Sequence, residues 1–135
     1  MITDFYYCGL CGNVFAAVVP SGVVPSCCSQ PMKKLVANTV DASHEHHLPH
    51  LVFHPDHLLE VNVGVVPHPM TDEHSIRFVA VETLEGIEIR YLSPSDAPRV
   101  SFRLSSPPLA VYAYCNVHGL WKKACPSPSC KKPEM

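Results

Sequence analysis

No apolar run in this chain is long enough to cross a bilayer, because Pro, Gly or a charged residue cuts each one short. The opening stretch, Met1-Ile2-Thr3-Asp4-Phe5, has neither a basic n-region nor an apolar h-region. These absences predict a soluble, cytoplasmic protein with no membrane partner. A basic excess is missing too: 10 Lys and Arg stand against 12 Asp and Glu, a net charge of −2. Nucleic acid, which needs a cationic footprint, is therefore not an expected partner. The chain also lacks any breaker-free window with apolar residues three and four apart, and its 14 prolines are scattered throughout. That excludes a helical fold and predicts an all-β one.

The strand signal is clear in places. Leu59, Val61, Val63 and Val65 alternate with Leu58, Glu60, Asn62 and Gly64, the period of two expected of a strand with one buried face. Further strands are expected from Ile76 to Glu82, Gly86 to Leu92, Arg99 to Leu104 and Leu109 to Tyr114. In Arg99 to Leu104, Val100, Phe102 and Leu104 should face inward while Arg99, Ser101 and Arg103 face water. Turn-rich stretches such as Ser93-Pro94-Ser95-Asp96-Ala97-Pro98 separate these strands, a pattern that suggests a β-sandwich. Residues 1–36 offer only Phe5 to Tyr7 and Asn13 to Val19 as strands, and too few large apolar groups for a core. Metal binding would have to hold that module together. The expected division is thus a metal module at 1–36, a sandwich at 37–124 and a disordered tail at 125–135.

Seven cysteines in a chain expected in a reducing compartment read as metal ligands, and the odd count argues against full pairing. Cys8 and Cys11 can share one tight turn, eased by Gly9 and Gly12, that points both sulfurs at a common centre. Adjacent Cys27 and Cys28 cannot form the same knuckle, so the tetrahedron should be distorted, with Pro25 and Pro31 stiffening its approach and exit. Spacing alone does not separate iron from zinc.

Nine histidines are many for this length, and six fall between His44 and His57. His44, His50, His54 and His57 read as ordinary surface or core residues. His68, His74 and His118 differ, since each sits beside a turn signal at a strand edge, where loops on a rigid sandwich converge. Cys115 ends an apolar strand, and its three-residue offset from His118 through Asn116 lets both side chains bind one ion. The bland alternative is a set of polar loop residues around a small buried cysteine. One soft sulfur beside several imidazoles points to a redox-active transition metal such as iron. Two sites of different character suggest electron transfer.

Several motifs occur together here: Tyr7-Cys8-x-x-Cys11-Gly12-Asn13, Cys27-Cys28-x-x-Pro31-Met32, Glu45-x-His47-x-Pro49, Val66-Pro67-His68-Pro69-Met70, a later His74, and Cys115-Asn116-x-His118-Gly119-x-Trp121. In this order they resemble the desulfoferrodoxins, two-site superoxide reductases, over about residues 6 to 122. The resemblance implies a desulforedoxin-like module followed by an immunoglobulin-like β-sandwich, with two iron ions per chain. Cys8, Cys11, Cys27 and Cys28 would hold a rubredoxin-like iron. His47, His68, His74 and His118 would surround a second iron with Cys115 as its axial thiolate and a sixth position open in the reduced state. Glu45 matches the family carboxylate that fills that position once the iron is ferric. The implied reaction reduces superoxide by one electron to hydrogen peroxide without making dioxygen, with rubredoxin or a similar protein as electron donor, in a homodimer.

One residue departs from the family pattern: His46 stands where a lysine usually precedes the first histidine ligand and helps to attract superoxide. An imidazole is charged only on the acid side of neutrality, so the association rate with superoxide is expected to rise as pH falls. Lys122 and Lys123 read as a solvated pair. Cys125 and Cys130 lie outside the motifs; a reversible disulfide, a shared metal and disordered thiols are all open to them, and disorder is the expectation. Two other functions are weighed against the reductase, an electron carrier working through the four cysteines and a zinc-stapled structural domain. Glu45 beside His47, and Cys115 at fixed spacing from His118, favour the enzyme.

Overall fold

The computed structural model describes residues 4–39, 44–64 and 66–125, with residues 44 and 45 described by backbone alone. The chain divides into two compact units, Met1–Val36 and Ala37–Met135. No helix among the described residues is long and apolar enough to cross a membrane.

The first unit is a desulforedoxin-like module of five short strands, β1 (Asp4–Tyr7), β2 (Val14–Ala17), β3 (Ser26–Cys27), β4 (Gln30–Pro31) and β5 (Lys33–Lys34). Antiparallel pairing orders one sheet β2-β1-β5 and joins β3 to β4 as a hairpin. β2 stops at Ala17, short of the expected Val19, so Val18 and Val19 stand exposed beyond it. The buried apolar set among the described residues of this unit is small: Tyr6, Cys8 and Met32 with Ala17 and Cys27 against them, and Phe5. An apolar core of that size does not hold a chain of this length folded, so cross-linking by metal has to contribute.

The second unit opens with a single helical turn, α1 (His44–His47), and continues through seven strands: β6 (Pro49–His54), β7 (Leu58–Val63), β8 (Ile76–Thr83), β9 (Gly86–Tyr91), β10 (Arg99–Arg103), β11 (Ala110–Cys115) and β12 (Gly119–Ala124). They form an immunoglobulin-like sandwich of two antiparallel sheets, ordered β10-β7-β6 and β12-β11-β8-β9. Leu59, Val61 and Val63 of β7 meet Ile76, Val79 and Val81 of β8, Phe102 of β10 and Val111, Ala113 and Cys115 of β11 in one core. β7 alternates half-buried and buried residues as its sequence period requires, while Val65 lies outside the described residues. Val100, Phe102 and Leu104 face inward between exposed Arg99, Ser101 and Arg103.

Five strands lie beyond those expected from sequence: the two-residue β3, β4 and β5 of the first unit, β6 inside the histidine-rich segment and β12 through Lys122 and Lys123. Cys125 also departs from expectation. It is buried, donates its backbone N–H to the Leu109 carbonyl at 2.7 Å and is disulfide-bonded, so it is not a disordered thiol. Packing at the end of β12 holds it in place. Cys130 lies outside the described residues.

Candidate metal centres

In the first unit, Cys8, Cys11, Cys27 and Cys28 bring their sulfurs within 4.8 Å of one another. Cys8 and Cys11 lie on a tight turn closed by the Gly12 N–H donating to the Cys8 carbonyl at 2.9 Å, with Gly12 at φ +84°. Neighbouring strand residues point to opposite faces, so Cys27 and Cys28 on a regular strand could not serve one centre. The β3–β4 hairpin solves this by placing Cys28 and Ser29 at φ +55° and +60°, the left-handed pair of a two-residue turn, which turns the Cys28 sulfur back to 3.9 Å from that of Cys27. Cys11 and Cys27 sulfurs stand 3.5 Å apart. Tetrahedral metal–sulfur bonds of about 2.3 Å set sulfurs about 3.8 Å apart, so the group fits such an ion. Backbone N–H groups of Cys11 and Leu10 hold the Cys8 thiol down to about 6. Hydrogen bonding to the Cys11, Cys8 and Cys27 sulfurs pushes the Cys28 thiol up to about 12. Successive thiolates resist forming side by side unless a cation neutralises them.

The second centre lies at one end of the sandwich, where α1, the start of β8 and the β11–β12 turn converge. His47 closes α1, and His68 follows β7, its N–H bonded to the Val63 carbonyl at 3.2 Å. His74 ends a turn in which Thr71 Oγ1 accepts its N–H at 3.0 Å. Cys115 ends β11 beside a bulge in the β11–β8 ladder, and His118 returns over it, donating its N–H to Sγ at 3.4 Å.

The four imidazoles form a closed ring. Centroids of His47 and His68, His68 and His74, His74 and His118, and His118 and His47 lie 4.7, 4.7, 5.0 and 4.9 Å apart. The diagonal from His47 to His74 is 6.5 Å. Neighbouring rings stand at 74° to 89°, and the diagonal pair is nearly parallel at 29°. Four sides of similar length and a diagonal of 6.5 Å place the ring centres near the corners of a square. One donor atom each from His47, His74, Cys115 and His118 falls within 4.8 Å of the others, and His68 completes the set through its two ring neighbours.

The donor chemistry fits a metal ion. His68 Nε2 and His74 Nε2 are buried without a hydrogen-bond partner, an arrangement that costs about 1–3 kcal/mol per atom when nothing meets it. The Pro69 carbonyl lies 2.6 Å from His68 Nδ1 and holds the proton there, leaving the Nε2 lone pair for a ligand. His47 Nε2 faces His118 Nδ1 at 3.1 Å. Burial pushes the His68 pKa down to about 4 and lowers that of His74, which keeps these rings neutral and ready to coordinate. Burial raises the Cys115 thiol, against backbone N–H groups of His118 and Val117, so its ionisation awaits a cation. Trp121, fully buried, stacks on His47 at 4.8 Å and 22° and donates Nε1–H to the His118 carbonyl at 3.2 Å.

Of the residues expected at this site, His47, His68, His74, His118 and Cys115 come together. Glu45 sits on α1 two residues before His47, and its side chain lies outside the described residues. His46 is half-buried, with Nδ1 3.4 Å from the Pro67 carbonyl beside His68. His50, His54 and His57 lie on β6 or the turn after it; His54 pairs with Glu60 at 2.8 Å. Trp121 and Asn116 carry no role that residue type or spacing assigns, although both stand in the Cys115 to Trp121 motif.

A sequence model of the desulfoferrodoxin family matches residues 39–124. A desulfoferrodoxin from Clostridium acetobutylicum is 42% identical over 82% of this chain and 87% of its own length. One from Syntrophotalea carbinolica is 39% identical over 87% of this chain and 93% of its own. The crystal structure of the superoxide reductase from Treponema pallidum superposes with a TM-score of 0.77 at 34% identity, covering 91% of this chain and 99% of that one.

Proposed function

Because this chain belongs to the desulfoferrodoxin family, we propose that it is a superoxide reductase working at an iron held by His47, His68, His74, His118 and Cys115. The observation that carries the reading is the square of imidazoles with a buried thiol against it, five donors that leave a sixth octahedral position for substrate. Similarity to the Treponema pallidum enzyme supports the same activity.

Ferrous iron bound there supplies the single electron that, with two protons, turns superoxide into hydrogen peroxide. Four neutral imidazoles and the single thiolate of Cys115 would leave a bound ferrous ion with net positive charge, which favours an anionic substrate. Glu45 supplies the carboxylate that competes with product, and His46, one residue before the His47 ligand, meets the incoming anion. Cys8, Cys11, Cys27 and Cys28 hold a second iron, and residues 1–36 and 37–124 are the two working modules. An external one-electron donor such as rubredoxin restores the ferrous state, and the protein works in the cytoplasm. A homodimer is the working form, a reading supported by the exposed apolar side chains of Phe15, Val18, Val19 and Val23 around β2, an edge strand of its sheet.

Metal content paired with a visible spectrum tests this first. Two irons per chain, a thiolate-to-ferric absorption band that grows on oxidation, and superoxide consumption without dioxygen release are expected. Zinc in both centres, with no such band after anaerobic iron reconstitution, overturns the reductase.

A further inference from the structure

The donors of the second centre come from stretches far apart in sequence, and something has to set one against another. The ladder between β8 and β11 ends at the pair Ile76 and Cys115, after a register shift at Tyr114 and Cys115. Past this point both stretches are loop, yet His74 must sit within about 0.5 Å of its place relative to Cys115 and His118. Asn116 spans the gap. Its N–H donates to the Ser75 carbonyl at 3.3 Å, and its Oδ1 accepts the Ser75 N–H at 2.9 Å. Its Nδ2 donates to the Glu73 carbonyl at 2.9 Å. The residues on either side of His74 are therefore both gripped by one side chain. Thr71 fixes the inner shape of the His74 turn, bonding to its N–H and carbonyl, but belongs to the same stretch of chain.

The chemistry selects an amide. One planar group must accept from an N–H and donate to a carbonyl at once; a carboxylate offers only acceptors and an aliphatic side chain neither. Reversing the amide would set oxygen against the Glu73 carbonyl and N–H against the Ser75 N–H, so the contacts fix its orientation.

Resting on the reading of this centre as an iron site, we infer that Asn116 is the positioning residue that locks the His74 turn onto the Cys115–His118 turn. It touches neither metal nor substrate and acts through the histidine it places. Partners of this kind typically govern metal affinity or activity by about 10–100-fold.

The test uses the full chain with both irons loaded. Iron loss to a chelator is followed at the thiolate-to-ferric band of the second centre, with the absorption of the four-cysteine centre as an internal control. Asn116→Ala should lose the second iron about 10–100-fold faster, with its band shifted and the control unchanged. Asn116→Asp keeps the acceptor for Ser75 but sets a charged oxygen against the Glu73 carbonyl, so it should lose the second iron at least as fast as Asn116→Ala. It also serves as the informative variant if Asn116→Ala does not fold. Native loss rates and an unshifted band in Asn116→Asp and Asn116→Ala overturn the assignment, as does equal loss from both centres, which marks general unfolding. A native chain that takes up no iron at the second centre overturns the underlying reading as well, and needs no variant to show it.

Discussion

Burial holds the His68 pKa down to about 4 from an ordinary 6.5, against the pull of the Pro69 carbonyl, and lowers that of His74 for the same reason. In an unfolded chain each of these imidazoles takes up a proton as pH falls through about 6.5. In the folded chain His68 refuses it until about pH 4, and His74 is shifted in the same direction. Below pH 6.5 the unfolded state binds more protons, so stability is present above that pH and drains away as pH falls towards the lowered values. Denaturant midpoints of the metal-free protein should decline from pH 6.5 towards pH 4; midpoints that rise over that span would contradict the burial of neutral rings. Trp121 permits a second measurement on the same protein. Trp121→Phe keeps an aromatic face against His47 and gives up the Nε1–H bond to the His118 carbonyl, a loss of about 1 kcal/mol. Trp121→Ala empties a fully buried site and should cost about 3–5 kcal/mol by the same denaturation assay. Equal effects of Trp121→Phe and Trp121→Ala would deny the ring its packing role.

At the scale of elements, the β3–β4 turn carries a conformational cost that the four-cysteine centre explains. Cys28 and Ser29 both adopt left-handed backbone, which costs a residue with a Cβ about 1–2 kcal/mol. Cys28 has to bear it because its sulfur is needed; Ser29 supplies no ligand. Ser29→Gly should therefore stabilise the first unit by about 1 kcal/mol and raise the denaturant midpoint at which the four-cysteine absorption is lost. An unchanged or lower midpoint would show the Ser29 side chain to be doing something else. This turn also marks a limit of sequence reading, since Cys27-Cys28 announces a metal centre without disclosing how neighbouring residues face it. β7 and β10 were legible because one face of each is buried, so the period of two survives in the residue types. β6 was not, because Leu51 and Phe53 alternate with histidines and a valine and are only half-buried themselves. β12 was hidden by two lysines and by a tryptophan and leucine that are adjacent, not alternating, in burial. At the site, spacing pointed to Cys115 with His118, but His47 lies among six histidines within 14 residues, where only the family motif set it apart. Asn116 and Trp121 act through geometry that residue type alone does not express.

The whole molecule joins two units that are stabilised in different ways. The second has a sandwich core of Leu59, Val61, Val79, Val111 and their neighbours, sufficient in kind for independent folding. The first buries little beyond Phe5, Tyr6, Cys8 and Met32 among its described residues, too little below about 40 residues without a cross-link. Its folding free energy must then contain the binding energy of its metal, and a chain of this make-up should not unfold in one step. Cys11 is the thiol to remove, because it is exposed and its loss leaves no cavity. In Cys11→Ser, calorimetry should show the transition of the first unit moving down or vanishing, while the second unit melts within a few degrees of its native temperature. The thiolate-to-ferric band of the second centre should persist through the first transition. Loss of both centres together, in one shifted transition, would mean that the sandwich depends on the metal of the first unit and that its own core is not what holds the second site in place.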